Sequence, residues 1–324
     1  MSMRFVDLHC DTMGERIARS GGAVTLRKND GHIDIEKLRA GGALAQFFAI
    51  FIPTHLEAER AGIQETPYDY FSLVYDAYLR EMEANRDAIA PAMNESDILK
   101  NRDQGLISSV LTIEDGVPID GRIERIDEFY QKGVRLITLT WNYENSLAFP
   151  NSREPEKMAL GLKPFGIDAV RRMNELGILV DVSHLSDGGF FDVARYSTKP
   201  FVASHSCARA LCNHPRCMTD EMLRLLGEKG GVCGLNFCAA FLREDSDYTT
   251  IDDVVRHAVH IAKVAGVDAV ALGSDFDGIS SKLEFKDYTG MPLLADAFSK
   301  HFTASEVDKI CSGNALRVIR ESMK

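Results

Sequence analysis

Eight short runs of apolar and β-branched residues recur along this chain, and helical patterns fill most of the gaps between them. The runs cover residues 4–11, 44–52, 106–114, 134–140, 178–183, 201–205, 232–237 and 269–275. Near-continuous apolar runs of this length suit parallel strands covered on both faces, whereas a half-exposed strand would alternate. Between them, residues 68–85 carry Phe71, Val74, Tyr75, Tyr78, Leu79 and Met82 in a helical stripe. Helical stretches at 164–176 and 251–265 stop at Gly177 and Gly266, and Thr303-Ala304-Ser305-Glu306 reads as a capping box. Strands alternating with helices leave two architectures, a closed (β/α)₈ barrel of the TIM type or a doubly wound open sheet. No G-x-G-x-x-G follows a strand and no phosphate-binding loop appears, so the nucleotide-binding open sheets lose ground. A length of 324 residues, 45% of them hydrophobic, suits one barrel domain over 1–324, with the longest insertion between the second and third strands.

The remaining bulk features exclude more than they assign. A net charge of −11 without any basic stripe argues against a nucleic-acid partner. No stretch reaches the roughly 20 apolar residues of a membrane helix, and residues 1–7 hold no signal-peptide core, so no membrane partner is expected. The seven cysteines are odd in number, irregularly spaced and free of any C-x-x-C pair. They read as reduced thiols, which makes the expected location cytoplasmic.

Polar, metal-binding residue types stand where the strands end. His9 and Asp11 close the first strand, Glu114 the third, His205 the sixth and Asp275 the eighth, while His184 follows the fifth. In a parallel barrel all C-terminal strand ends open on one face, the face on which barrel active sites are built. Residues two apart on a strand point the same way, so His9 and Asp11 face one side together. A carboxylate can bridge two cations, and in strand order Glu114 lies between His9 on one side and His184 and His205 on the other. Imidazole mixed with carboxylate favours zinc or a neighbouring transition metal over calcium or magnesium. Two such ions roughly 3.5–4 Å apart can activate a water and polarise a carbonyl together. Taken singly, each signal is bland: a His-x-Asp is common, and a strand-end histidine is more often a hydrogen-bonded structural residue. The combination at matching strand ends carries the reading. His257 and His260 lie on a helix with an apolar stripe, and His32, His55 and His301 have no partner pattern. His214 ends no strand, and Cys207 reads as a small residue in the following helix rather than a nucleophile.

These segments resemble the membrane (renal) dipeptidase family of zinc dipeptidases, in a bacterial-type form, over nearly the whole chain. Phe5-Val6-Asp7-Leu8-His9-Cys10-Asp11-Thr12 is similar to the family's opening strand, and Ile113-Glu114-Asp115-Gly116 to its bridging-glutamate strand. Leu179-Val180-Asp181-Val182-Ser183-His184 and Pro200-Phe201-Val202-Ala203-Ser204-His205-Ser206 resemble its second-metal strands. Gly273-Ser274-Asp275-Phe276-Asp277-Gly278 and Gly313-Asn314-Ala315-Leu316-Arg317 are similar to its late motifs. The resemblance implies two divalent ions, with zinc the expected metal: His9 and Asp11 on one, His184 and His205 on the other, Glu114 bridging. It implies that Arg216 holds the substrate carboxylate, that Asp275 moves the proton between water and leaving amine, and that the substrate is a dipeptide, including those with a C-terminal D-residue. Two positions depart from the family. Trp141, followed by Asn142, stands where the family has a substrate-contacting histidine, and Cys217 where an asparagine often follows the arginine.

Two other functions compete. Another amidohydrolase-type barrel enzyme would often carry a lysine late in the fourth strand, and 134–140 has none; deaminases of this type open with His-x-His. A non-catalytic metal-binding protein would have no need to retain Asp275 and Arg216. A homodimer remains open at this level.

Overall fold

The computed structural model describes residues 3–324. Eight strands close into a parallel barrel: β1 (Phe5–Cys10), β2 (Ala43–Phe51), β3 (Ile107–Glu114), β4 (Val134–Thr138), β5 (Leu179–Asp181), β6 (Val202–Ser206), β7 (Val232–Leu235) and β8 (Val270–Leu272). Each pairs with the next in the chain, and β8 returns to β1 with Leu272 opposite Asp7. The longest register runs along β2 and β3, from Ala45 opposite Ser108 to Phe51 opposite Glu114. That register carries the Glu114 carboxylate to the C-terminal mouth.

Apolar side chains from all eight strands, among them Leu8, Phe47, Val110, Leu136, Leu179, Val202, Val232 and Ala271, fill the barrel together with Ala315, Val318, Ile319 and Met323 of the C-terminal segment. The helix Asn314–Ser322 thereby packs against the N-terminal parts of the strands, leaving the C-terminal ends for the polar residues. A second, larger cluster packs the outer helices on the barrel.

Helix ends follow local capping chemistry, at Thr303 and Gly177 as read from the sequence and at other helices as well. Thr66, Thr219, Thr250 and Thr303 open helices Pro67–Ala84, Asp220–Glu228, Ile251–Ala265 and Ala304–Asp308, each accepting a backbone N–H three residues on. Helix Pro164–Leu176 stops at Gly177, which takes a left-handed φ of 87°.

Several strands stop short of expectation, β1 at Cys10, β4 at Thr138, β5 at Asp181, β7 at Leu235 and β8 at Leu272, so Asp11 lies just past the end of β1. The fifth and eighth strands hold three residues each, so His184 and Asp275 lie beyond them in turns, with φ of 68° and 62°. Positive φ is uncommon for such residues and clusters at functional turns. The insertion between β2 and β3 contains helices His55–Ala61, Pro67–Ala84 and Glu95–Asp103. It also contains a strand, Ile89–Pro91, paired with the first three residues of β3. That strand, like the pairing of Tyr248–Thr249 with Lys282–Leu283, is too short to leave a periodic pattern. No helix among the described residues is long and apolar enough to cross a membrane.

Candidate metal centre and its cavity

Glu114 sits at the hub of the barrel mouth. Its Oε2 lies 3.5 Å from His9 Nε2, while its Oε1 lies 3.0 Å from His184 Nε2 and 3.4 Å from His205 Nε2. His9 Nε2 also stands 3.3 Å from Asp11 Oδ2 and 3.8 Å from Asp275 Oδ1. All six residues are thus brought together from distant parts of the chain. Two triplets, His9–Glu114–His205 and His9–Asp11–Asp275, have ligand atoms mutually within 4.8 Å.

The proton bookkeeping around His205 shows why a cation fits. Ser204 Oγ donates its one proton to Asp181 Oδ2 at 2.6 Å, so its contact of 2.8 Å to His205 Nδ1 is one in which the ring nitrogen donates. The proton of His205 is then on Nδ1, and Nε2 is a bare lone pair. That lone pair lies 3.1 Å from His184 Nε2 and 3.4 Å from a carboxylate oxygen. Ring nitrogens and carboxylate oxygens gathered at this spacing, with Asp11 Oδ1 buried and unpartnered beside them, fit the donor set of a divalent ion. Gly278 completes the cradle. A Cβ there would meet Asp11 Oδ2 at 2.1 Å and Asp275 Oδ1 at 2.6 Å, so any side chain would displace the carboxylates.

Burial and charge set the protonation states. Burial and the Glu114 charge push Asp11 up, and burial pushes Asp275 up. Burial opposes protonation of His9, but the Asp11 and Glu114 carboxylates prevail and hold its pKa well above the usual value. Burial, with Arg216 adding to it, lowers His184 to about 4, and burial and His9 depress His205. The last two are therefore neutral imidazoles near pH 7, as metal ligands must be.

A cavity of about 590 Å³ opens over these residues. Trp141, Asn142, Arg216, Phe241 and Asp275 line it beside the metal-binding candidates. The Trp141 ring lies 4.9 Å from Phe51 and 5.9 Å from His184. Asn142 Oδ1 is 3.2 Å from His184 Nδ1. Arg216 is not the surface arginine its loop position allowed. It is 6% exposed, Nη2 donates to His205 O at 3.0 Å, and Nε and Nη1 have no protein partner. Its guanidinium lies 5.2 Å from the Phe241 ring centre.

Cys207 is buried, its thiol is pushed well up by burial, and it lies in a loop rather than a helix. His257 is structural, with Nδ1 accepting from Ala208 N and Nε2 against Leu242 O. His32, read as partnerless, accepts from the backbone N–H of Asp277 at 3.0 Å. His214 lines the cavity and accepts from Arg216 N at 3.2 Å.

Asn236, which donates to Asp275 Oδ2 at 2.8 Å, was missed although it follows the seventh strand as a polar end residue, the same signal that picked out the others. Glu15, Arg19, Glu57 and Arg60 at the cavity rim had no such signal, because they come from the segment after β1 and from the insertion.

A profile of the membrane dipeptidase family, peptidase family M19, matches residues 1–324. The chain belongs to that family. This dipeptidase is therefore a hydrolase of peptide bonds, and membership in a metallopeptidase family implies a divalent metal. It is 34% identical over 307 residues to an uncharacterised dipeptidase of Schizosaccharomyces pombe, an alignment covering 90% of this chain and 72% of the yeast protein. It is 38% identical over 239 residues to an uncharacterised protein encoded in the pqqA 5′ region of Klebsiella pneumoniae, covering 70% of this chain and 87% of the relative. Among solved structures, a Rhodobacter sphaeroides metallopeptidase bound to a phosphinate mimic of L-Ala-D-Ala superposes with a TM-score of 0.89. The two are 26% identical, with 99% of the dipeptidase and 100% of the bacterial chain covered.

Proposed function

We propose that this chain is a binuclear dipeptidase, one barrel domain that cuts the amide bond of dipeptides and accepts a C-terminal D-residue. The observation that carries it is the pair of Glu114 oxygens, one turned to His9 and the other to His184 and His205. Asp11 completes the first half of the donor set. Imidazole and carboxylate together favour zinc. The likeness to the metallopeptidase that binds an L-Ala-D-Ala mimic supports acceptance of a C-terminal D-residue. Seven free thiols support a cytoplasmic location.

Two divalent ions in this donor set would supply Lewis-acid polarisation of the scissile carbonyl and a lowered pKa for water. The remaining work belongs to the chain. Asp275, steadied by Asn236, takes the proton from the attacking water and passes it to the departing nitrogen. Its raised pKa suits a group that must hold that proton in transit. Arg216 has unspent donors in a buried setting and takes the free carboxylate, which limits substrates to two residues. Trp141 and Phe51 wall the cavity next to His184, so the indole packs on one substrate side chain.

The test is metal analysis of the purified chain combined with a hydrolysis panel of L-L and L-D dipeptides. Two ions per chain and turnover of L-D pairs are expected. One ion or none, or turnover confined to longer peptides, would overturn the reading.

A further inference from the structure

We propose that Asp181 and Ser204 are positioning residues that lock the His205 ring in one tautomer and thereby organise one half of the metal centre. The inference rests on the binuclear reading above. Asp181 is fully buried and accepts four donors: the backbone N–H groups of Ser183 and Ser204 on Oδ1, and the hydroxyls of Thr138 and Ser204 on Oδ2. These donors come from β4, from β6 and from the turn after β5, so the carboxylate ties that part of the barrel mouth together. Ser183 Oγ accepts from His205 N at 3.1 Å, which leaves its own proton for Ser204 Oγ at 3.4 Å. Every proton in the chain of bonds therefore runs toward Asp181, and the ring can enter it only as a donor from Nδ1. The backbone seat is equally defined, because a Cβ at Gly273 would stand 1.7 Å from Ser204 O.

The other two histidines lack this device. An Asp–Ser couple recurs on β1 and after β8, where Ser274 Oγ donates to Asp7 Oδ2 at 2.6 Å. It reaches only the backbone of His9, and His9 Nδ1 is buried without a partner. His184 faces Asn142, an amide that can turn either its oxygen or its nitrogen to the ring. His205 alone of the three has its lone pair fixed by a carboxylate relay.

Partners that orient metal-binding histidines are generally worth about 10–100-fold in metal affinity. Zinc titration of the full chain against a chromogenic chelator reads this directly. Ser204→Ala is expected to weaken one of the two dissociation constants by about 10–100-fold and leave the other within about two-fold. Ser204→Thr keeps the hydroxyl and should restore binding. Asp181→Asn should weaken binding more than Ser204→Ala, because an amide donor would turn the Ser204 proton toward His205 and drive the ring proton onto Nε2. Thr138→Val removes a donor to Asp181 outside the relay and should leave both constants unchanged.

Equal zinc binding by wild type and Ser204→Ala overturns the proposal, as does an equal loss in Thr138→Val, which would mean general packing. If the Ser204 and Asp181 variants do not fold, ¹⁵N spectra of histidine-labelled, metal-stripped wild type still decide. A proton on Nε2 of His205 overturns the relay. Wild type that binds no zinc at all would instead sink the binuclear reading.

Discussion

The half of the centre built on His9 and Asp11 and the half built on His184 and His205 are held by different physical means. The first is rich in carboxylates, Asp11 two positions along the chain and Asp275 from the turn after β8, and its histidine ring has no partner at Nδ1. Burial opposes a charge on His9, yet the Asp11 and Glu114 carboxylates raise its pKa well above the usual value, and the same negative charge favours a cation. The second half uses two neutral rings, one in the turn after β5 and one on β6, depressed by burial, and it rests on hydrogen bonds behind the rings. The comparison teaches that attraction of a cation and orientation of its ligands are separable tasks. One side of Glu114 does mostly the first, and the other mostly the second.

The largest effect should come from removing the group common to both halves. Glu114→Gln is expected to abolish turnover and bring bound metal well below two ions per chain, as read by elemental analysis and a dipeptide assay. Full double occupancy in that variant would remove the bridging role and dissolve the comparison. Asp275, beside the carboxylate-rich half, comes next. Asp275→Asn should lower kcat by about 10²–10⁴-fold, the usual range for a general acid–base. An unchanged kcat would assign the proton to another group.

On the other half, Arg216 is anchored to the His205 carbonyl. A C-terminally amidated dipeptide should therefore react with a kcat/KM poorer by about 2–4 kcal/mol, the loss of a charge-assisted contact in a desolvated site. Equal rates on acid and amide would remove that role from Arg216. Trp141 flanks the same half. Trp141→His and Trp141→Ala should change the rank order of a dipeptide panel while metal content stays constant. Unchanged rank order and rates in both variants would put the indole outside the substrate pocket.

The smallest effect separates the neutral rings of the metal centre from burial in general. His257 lies outside the cavity lining, yet burial lowers it to about 4 as well. Its folded pKa lies below that of the unfolded chain, so the unfolded chain binds more protons as pH falls. The stability His257 contributes is full above about pH 6.5 and is lost as pH drops toward 4, with about 2 kcal/mol gone between pH 7 and 5. Urea unfolding of the metal-free chain at both pH values reads this loss. His257→Gln should flatten the dependence, and an unchanged pH slope would show that the ring does not titrate on unfolding.

The eight runs, the helix stops and the residue types at the strand ends can all be read along the chain. Apolar periodicity, capping and the i, i+2 geometry of a strand are local rules that need no neighbours. His9 with Asp11, helix 251–265 with its stop at Gly266, and the capping box at Thr303 were legible for that reason. The barrel was the expected architecture, but the local rules alone left an open sheet as its rival, and closure is settled only when Leu272 meets Asp7. The left-handed turns at His184 and Asp275 were not legible, because they arise where the ladder ends and side chains must converge on Glu114. Asp181 and Ser204 were visible as letters in two motifs, but their relay exists only because β5 and β6 are neighbours. Which of the three histidines has its lone pair fixed depends on what lies behind each ring. That is a property of packing between distant segments, where the local sequence rules stop.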